Sequence, residues 1–283
     1  MKRRLIQLCA ALLYNLNLKG FAEASIYKGK SKGLCVPGLN CYSCPGAVGS
    51  CPLGTLQNAL SAMDRKLPFY ILGVLLLFGV TMGRTICGFI CPFGLVQELL
   101  YKIPVPKIKK NRVTRELSRV KYVILAVFVI ILPVVFKAAS GLPVPAFCKY
   151  ICPAGTLEGG IPLVLLDESL GGLAGALFNW KVLVMAVILV SACFVYRSFC
   201  RFFCPLGAIY SLFAPAALLG VNIDRDACID CGRCVRTCKM DIRQVGDREC
   251  IQCGECMKEC NVDAIYWKKP WNCLLYTSDA ADD

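Results

Sequence analysis

Residues 228–238 read CIDCGRCVRTC and residues 250–260 read CIQCGECMKEC. In both runs the four cysteines are separated by two, two and three residues. A structural zinc site is built from C-x2-C pairs and has no use for the third and fourth cysteine at this spacing. Two such runs are instead typical of a pair of [4Fe-4S] clusters, because each run supplies three ligands to one cluster and one to the other. The runs therefore predict a small iron–sulfur domain over residues 224–267.

This spacing assigns all eight thiols of the two runs. We expect the first cluster at Cys228, Cys231, Cys234 and Cys260, and the second at Cys250, Cys253, Cys256 and Cys238. Gly232 and Gly254 follow the second cysteine of each run, where the loop has to bend tightly. Lys239 and Asn261 stand where a proline commonly follows the fourth cysteine. We expect this to change the local backbone and to leave the ligands in place.

A second motif, Cys-Pro-x-Gly, occurs four times earlier in the chain, at Cys51, Cys91, Cys152 and Cys204. In three copies another cysteine stands four residues earlier: Cys87, Cys148 and Cys200. Both thiols of such a pair would share one face of a helix. Proline suits the first turn of a following helix, whose free N–H groups would face an anionic cluster. A Cys-Pro pair that only ends a membrane helix would explain one copy and not four, so we expect cluster ligands here.

Four apolar stretches indicate a membrane protein: Leu5–Phe21, Pro68–Gly83, Tyr122–Ala139 and Trp180–Tyr196. Each is slightly shorter than the ~20 residues that span a bilayer. The Arg84–Lys121 loop has nine basic residues, whereas the Ser140–Asn179 loop has one. By the positive-inside rule, the first of these loops, the N-terminus and the C-terminal domain lie in the cytoplasm. Six basic residues in the Lys19–Leu67 loop oppose this topology.

The fold class that follows is mostly α. Residues 1–205 form a membrane domain of about four helices with cysteine-rich loops, and residues 206–223 form an interfacial connector interrupted by proline and glycine. Residues 224–267 are a small α+β domain of the bacterial two-cluster kind, and residues 268–283 are a tail. The last part of that tail, 273–283, resembles a translated sequencing adapter, so its cysteine is left out of the ligands.

Alternate Cys-Pro-x-Gly copies fall on opposite faces of the membrane under this topology. The inner group, enough for one [4Fe-4S] cluster, contains Cys87, Cys91, Cys200 and Cys204. The first copy lacks the earlier cysteine, because Ala47 stands there. For the outer group we therefore expect a cluster at Cys44, Cys51, Cys148 and Cys152, with Cys41 and Cys35 as alternatives. Two outer thiols are then surplus and could form a disulfide.

The chain would hold up to four clusters, two of them in the C-terminal domain. An electron path across the bilayer requires the inner and outer groups to lie inset from its edges, because the hydrocarbon core is ~30 Å thick. A bridging quinone would relax this condition.

Composition excludes several kinds of site. Among 283 residues there is no histidine, which rules out His-ligated zinc, bis-histidine haem, Rieske and Ser-His-Asp centres. Hydrophobic residues make up 57% of the chain and charged residues 18%, which is too apolar for an ordinary soluble domain. The formal net charge of +13 does not indicate nucleic-acid binding, because thiolate-bound clusters would remove much of it.

The Cys-x3-Cys-Pro pairs at helix ends, followed by two cysteine runs, resemble the polytopic membrane ferredoxins of the NapH/MauN and NosR type. The similarity covers most of residues 68–267, and the family's pairs correspond to Cys87/Cys91 and Cys200/Cys204. The resemblance implies electron transfer between quinol or cytoplasmic donors and an acceptor across the membrane. The chain departs from the family in its third pair, in the extra cysteines of its first loop, and in lacking a flavin-binding or accessory periplasmic domain.

Three functions are compatible with these patterns. The favoured one is a membrane-bound electron carrier between a cytoplasmic redox protein and the membrane or its outer face, with no catalytic residue of its own. The second is a quinone-linked oxidoreductase subunit, with a pocket near Gln97 and Glu98. The third is a redox sensor or a cluster-storage protein. We expect a multi-pass protein of a prokaryotic cell membrane, whose partners are lipid, the cytoplasmic redox protein, and a quinone or extracytoplasmic acceptor.

Overall fold

The computed structural model describes residues 2–61, 68–166, 172 and 175–268, and most of these are helical. The adapter-like segment 273–283 lies outside the described residues. The α-helices are Lys2–Tyr14, Lys19–Ala22, Pro52–Ser61, Phe69–Thr81, Thr85–Phe89, Pro92–Leu100, Arg112–Leu117, Val120–Ile124, Leu132–Ser140, Ala146–Tyr150, Ile161–Leu166, Ala176–Phe194, Ser198–Phe202, Pro205–Phe213 and Arg233–Thr237. Leu125–Ile131 and Gly155–Gly160 are π-helical, and Lys30–Gly33 and Glu255–Glu259 are 3-10 helices.

Two of the described helices are long and apolar enough to cross a membrane: Arg112–Ser140, with 29 residues, and Ala176–Phe194, with 19. Their apolar side chains mostly face outwards; Leu183 and Val187, for example, are more than half exposed. An apolar helix with an outward-facing apolar surface suits a lipid environment. Phe69–Thr81 is a shorter apolar helix. The expectation of about four membrane helices therefore stays a prediction.

The stretch Leu5–Phe21 does not continue as one helix. Helix Lys2–Tyr14 ends where two asparagines begin to bind backbone carbonyls. The side-chain amide of Asn15 donates to Ala11 O (2.9 Å), and that of Asn17 donates to Pro45 O (2.9 Å). Asparagine side chains compete with the helix for backbone partners in this way. The chain then turns into the cysteine-rich loop.

Each Cys-Pro-x-Gly copy begins a helical segment with its proline. Cys91 and Cys204 have extended backbone angles immediately before the helices Pro92–Leu100 and Pro205–Phe213. Proline is well suited to this first helical position, because the N–H it lacks would be unpaired there. The earlier cysteine of each pair lies on a separate short helix, such as Thr85–Phe89. The two thiols therefore meet at a corner between two helices, and not on one continuous helical face as the spacing suggested.

The segment expected to be an interfacial connector, 206–223, begins in the core. Helix Pro205–Phe213 packs against helices Phe69–Thr81 and Val120–Ile124, and its Tyr210 is fully buried. The segment then enters the first strand of the C-terminal domain. This burial follows from the helix being the fourth Cys-Pro-x-Gly copy, which packs among the others.

The C-terminal domain is built on a short antiparallel pair, Val221–Ile223 with Ile265–Trp267. Val221, Val245 and Ile265 form its small core. Gly232 and Gly254 both have left-handed backbone angles, with φ of 65° and 72°. Each cysteine run thus bends tightly after its second cysteine, as predicted, where a side chain would strain the backbone.

Candidate metal centres

The four thiols of the inner group lie together in the core: Cys87, Cys91, Cys200 and Cys204. Each residue is at most 7% exposed, and the thiols are close enough to interact electrostatically. The Gly207 N–H donates to Cys204 Sγ (3.3 Å). Such a donor favours the thiolate form, which is the form that binds iron. The structure brings together all four predicted residues, and their role as ligands stays a prediction.

The outer group surrounds a cavity of about 270 Å³ whose lining includes four cysteines: Cys41, Cys51, Cys148 and Cys152. Gly155 lies against two of their sulfurs, since a Cβ there would stand 3.7 Å from both Cys41 Sγ and Cys152 Sγ. The Gly155 N–H also donates to Cys152 Sγ (3.4 Å). A glycine here lets the backbone approach the sulfurs closely.

Of the cysteines expected in the outer group, Cys44 does not line this cavity, and the alternative Cys41 does. Cys44 is 3% exposed and lies in a turn next to Ala47. Cys35 lies elsewhere, and its thiol contacts Thr55 Oγ1 at 3.6 Å. Cys35, Cys41 and Cys44 are all free thiols in the described part of the chain, so none of them forms the disulfide that the outer location would allow.

The residue six positions after the cysteine of the Cys-Pro-x-Gly motif makes the same contacts in the outer group as in the inner group. Gln57 of the first copy donates to Cys148 Sγ (3.3 Å) and accepts from the Phe147 N–H (2.9 Å). Gln97 of the second copy donates to Cys200 Sγ (3.0 Å) and accepts from the Phe199 N–H (3.0 Å). The first copy therefore faces the third, and the second faces the fourth, with the same local geometry. This pairing agrees with the inner and outer groups expected from the sequence, whereas the two glutamine contacts were not predicted.

Six residues after the motif cysteine, the third copy has Glu158 and the fourth copy has Tyr210. Glu158 accepts a hydrogen bond from the Cys41 N–H (2.7 Å), and Tyr210 donates to Pro37 O (2.9 Å). Both contacts are made with the cysteine-rich loop that precedes the first copy. In the outer group, where the first copy lacks its earlier cysteine, this loop lines the cavity beside the complete pair Cys148/Cys152.

Three thiols of the second cysteine run and the last thiol of the first line a separate cavity of about 170 Å³: Cys250, Cys253, Cys256 and Cys238. These are the four residues predicted for the second cluster of this domain. Burial raises the pKa of the Cys238 and Cys256 thiols to about 12. A thiol must lose its proton to bind a metal, so binding of iron by Cys238 and Cys256 would release protons.

The remaining four thiols of the domain lie closer to solvent. Cys234 interacts electrostatically with Cys228 and Cys231, and Cys260 packs on the same small core as Cys234. Cys231 is exposed. The grouping matches the prediction for the first cluster, whose ligand roles likewise stay a prediction.

The donor chemistry of these four groups fits [4Fe-4S] clusters. Thiolate-only donor sets select iron–sulfur clusters or zinc among the common metals. Within the described residues, no three histidine, cysteine or acidic side chains converge tightly enough to hold a single metal ion. The thiols instead surround space, and backbone N–H groups of Gly155 and Gly207 point at their sulfurs. This arrangement suits a polynuclear anion better than one ion.

One loop connects the inner and outer groups. A Cβ at Gly38 would lie 3.2 Å from Cys91 Cα of the inner group, and Cys41, three residues later, lines the outer cavity. Three residues of extended chain span at most about 10 Å. Tyr210 is fully buried and interacts electrostatically with both Cys51 and Cys91, so it lies near both groups. The two groups are therefore near neighbours within the core.

The second cysteine run packs directly on the inner group. Gly88 lies between the two cysteines of the second copy and touches the backbone carbonyl of Ile251. A Cβ at this position would also stand 3.9 Å from Cys253 Cα. Only glycine lets the two motifs approach so closely.

Comparison with known proteins identifies the repeat. Four segments match the family described as "4Fe-4S binding domain": residues 50–70, 67–111, 122–161 and 177–222. Residues 221–244 match a second family with the same description. The chain belongs to the 4Fe-4S ferredoxin-type proteins of the MauN kind. The resemblance to the NapH/MauN and NosR type is thereby confirmed, and each copy of the Cys-Pro-x-Gly motif falls in one matched segment.

Relatives of this ferredoxin-type protein include an uncharacterized protein of Methanocaldococcus jannaschii, 31% identical over 60% of this chain and 64% of the relative. The putative electron transport protein YccM of Escherichia coli is 22% identical over 70% and 55%. The methylamine utilization ferredoxin-type protein MauN of Paracoccus denitrificans is 27% identical over 68% and 62%. The chain thus spans between half and two thirds of the length of these relatives. No solved structure matches it.

Ion pairs hold the ferredoxin domain on the helices. Glu249 accepts from Arg84 (3.1 Å) and from Lys121 (2.5 Å), and both basic residues are fully buried. Burial alone would raise the pKa of Glu249, but the two cations lower it below its ordinary value. Asp241 pairs in the same way with Arg201 (2.6 Å). Breaking such a pair leaves an uncompensated buried charge, so these contacts fix the position of the domain.

The predicted quinone pocket near Gln97 and Glu98 is filled by protein. Gln97 is fully buried and binds Cys200, and Glu98 is 2% exposed. Glu98 pairs with Arg197 (2.6 Å) and Arg3 (2.6 Å). Both side chains serve the packing of the inner group, because a buried carboxylate needs a paired cation.

Proposed function

We propose that this protein is a membrane electron relay between its ferredoxin domain on the cytoplasmic side and the outer thiol group. A [4Fe-4S] cluster bound at each of the four thiol groups would supply reversible one-electron transfer. The chain's own residues hold these groups in place, and all four thiols of the inner group are buried.

The observation that carries this proposal is the close contact between three successive thiol groups. Gly88 brings the second cysteine run against the inner group. Gly38 and Tyr210 connect the inner group with the outer group. The two groups are thus adjacent and buried in the core, which supports an electron path through the bilayer.

The proposed topology places the N-terminus and the ferredoxin domain in the cytoplasm in a multi-pass protein. The helices Arg112–Ser140 and Ala176–Phe194 would span the membrane. The basic residues of the Arg84–Lys121 loop support this orientation, and two of them, Arg84 and Lys121, bind the ferredoxin domain directly. The loop and the domain therefore share one side of the membrane.

Reconstitution of the full-length protein into liposomes that contain ferricyanide tests the relay. A membrane-impermeant reductant added outside should reduce the internal ferricyanide faster than in protein-free vesicles. Cys204→Ala should abolish this difference, and Cys193→Ala, outside all four groups, should keep it. A fully loaded wild-type protein that reduces no internal ferricyanide would show that the carrier works on one face only.

A quinone-linked activity is the second candidate, favoured by one feature. An apolar cavity of about 620 Å³ lies between the two candidate membrane helices and is lined by Trp180, Ser198, Phe202 and Phe203. The last three residues lie within two positions of Cys200 or Cys204 of the inner group. Quinone sites are largely apolar with few polar groups. If a quinone binds there, a short-chain quinol should reduce the inner group of the protein in detergent solution. Phe202→Trp fills the cavity and should slow that reduction. Equal reduction rates in the wild type and the variant would exclude this site.

A further inference from the structure

We propose that Cys41 is the fourth ligand of the outer group, with Cys51, Cys148 and Cys152, and that Glu158 positions it. This inference rests on the proposed function, because it assumes a cluster at the outer group. It names which of the three cysteines before Cys51 completes the site.

The outer group needs a ligand from outside the repeat. The inner group has two complete cysteine pairs, but the first copy has Ala47 where the earlier cysteine of a pair would stand. Ala47 is fully buried, and its carbonyl accepts from Lys32 Nζ (2.7 Å). The preceding loop must therefore supply the missing thiol.

Among the loop cysteines, Cys41 faces the other three ligands. Gly155, which lies next to Cys152 Sγ, lies equally close to Cys41 Sγ. Gly159 also approaches this sulfur, since a Cβ there would lie 3.3 Å from Cys41 Sγ. Two glycines on one helical segment thus clear the space for a single thiol. Neither Cys44 nor Cys35 lines the cavity.

The contact made by Glu158 supports the same assignment. In the inner group, Gln97 Oε1 accepts from the backbone N–H groups of Phe199 and Cys200, the residues that start the facing pair. In the outer group Glu158, at the equivalent position, accepts from the backbone N–H of Cys41. Gln57 already makes the matching contacts with Cys148, so Cys41 takes the place of the earlier cysteine that the first copy lacks.

Hydrogen bonds fix the loop on both sides of Cys41. The side-chain amides of Asn15 and Asn40 bind each other (3.0 and 3.3 Å). Four residues after Cys41, Pro45 O accepts from Asn17. The thiol is thus presented from a rigid segment, which a cluster ligand requires.

The assignment can be tested on full-length protein purified anaerobically. The measurements are the iron and acid-labile sulfide content per chain and the EPR spectrum of the reduced form. The wild type should contain about 16 irons. Cys41→Ala should lose about a quarter of the iron and one set of EPR signals, as should Cys51→Ala. The matched variants Cys44→Ala and Cys35→Ala should keep the wild-type content. Unchanged signals of the ferredoxin domain in Cys41→Ala would show that the variant is folded.

Two results would overturn the assignment, and they can be told apart. If Cys44→Ala or Cys35→Ala loses the outer signals while Cys41→Ala keeps them, the outer cluster exists and the ligand is wrong. If the wild type contains only about 12 irons and Cys51→Ala changes nothing, the outer cluster itself is absent and the proposed relay fails as well.

A second pair of variants tests Glu158 without altering a cysteine. Glu158→Gln keeps an oxygen that accepts from the Cys41 N–H, so the iron content should remain complete. Glu158→Leu removes the acceptor, and the outer signals should be lost or should disappear faster in air. Equal iron content and equal air stability in the two variants would contradict the positioning role.

Discussion

The inner and outer thiol groups are built from the same motif and differ in what surrounds it. The inner group lies among buried cations, since the guanidiniums of Arg84 and Arg197 are fully buried and interact electrostatically with the Cys200 thiol. The outer group has the carboxyl of Glu158 next to Cys41. Net charge and hydrogen bonds near the sulfurs tune the potential of an iron–sulfur cluster. We therefore expect a higher reduction potential in the inner group than in the outer group.

The largest effect should follow removal of an inner thiol. Cys204→Ala removes one thiol of the inner group. Among the groups described, the inner group is the only one that contacts both the ferredoxin domain and the loop that contains Cys41. About four irons should be lost, and electrons from the ferredoxin domain should no longer reach the outer thiols. Stopped-flow reduction with separate EPR signals for each group measures this. Cys193→Ala is the control, and an outer group still reduced at the wild-type rate would contradict the order of the three groups.

Loss of a buried cation should have the next largest effect. Arg197 donates to Glu98 Oε1 through both Nη2 (2.6 Å) and Nε (2.9 Å), and its guanidinium lies against Gly94. Arg197→Gln would leave Glu98 buried with one partner fewer, at a cost of about 3–5 kcal/mol in the free energy of unfolding. Thermal loss of the visible cluster absorbance in detergent checks this. Arg119→Gln, on an exposed pair with Glu116, should change the midpoint little.

The features of the site that could be predicted from the sequence are those with a fixed local spacing. The two cysteine runs and the four Cys-Pro-x-Gly copies follow from ligand spacing and from the preference of proline for a helix start. The tight bends at Gly232 and Gly254 follow from the same local reasoning. Sorting the copies into facing pairs was also correct in its grouping, because loop charge alternates along the chain.

The rest depends on contacts between distant parts of the chain. Cys44 and Cys41 are three residues apart, and no local rule distinguishes them; the choice depends on Glu158 and Gly159, more than a hundred residues away. The pocket expected near Gln97 fails for the same reason, because the partner of that side chain is Cys200. The sequence analysis placed the two cysteines of a pair on one helix, whereas they lie at a corner between two helices. A spacing of four residues occurs in both arrangements and does not distinguish them.

A side chain between the ferredoxin domain and the inner group should have a smaller effect on stability. Gly88→Val would push a Cβ against the Ile251 carbonyl, and overpacking of this kind costs about 1–3 kcal/mol. The domain should move away from the inner thiols, so transfer between them should slow while all the iron is retained. Gly73→Ala is the matched control, because nothing lies within 4 Å of a Cβ there. An unchanged transfer rate in Gly88→Val would show that electrons do not pass through this contact.

The smallest effect, and the sharpest test of the comparison, comes from exchanging the equivalent side chains of the two groups. Glu158→Gln keeps the acceptor for the Cys41 N–H, removes the carboxyl, and adds an amide that can donate to sulfur as Gln97 does. The outer potential should become more positive, with the iron content unchanged. Gln97→Glu makes the reverse exchange and removes the donor to Cys200 Sγ, so the inner potential should become more negative. An EPR-monitored redox titration follows each signal separately, and Glu116→Gln, on an exposed helix, should move neither. If each variant shifted both signals equally, the difference between the groups would arise from the whole protein and not from the side chain that faces each thiol.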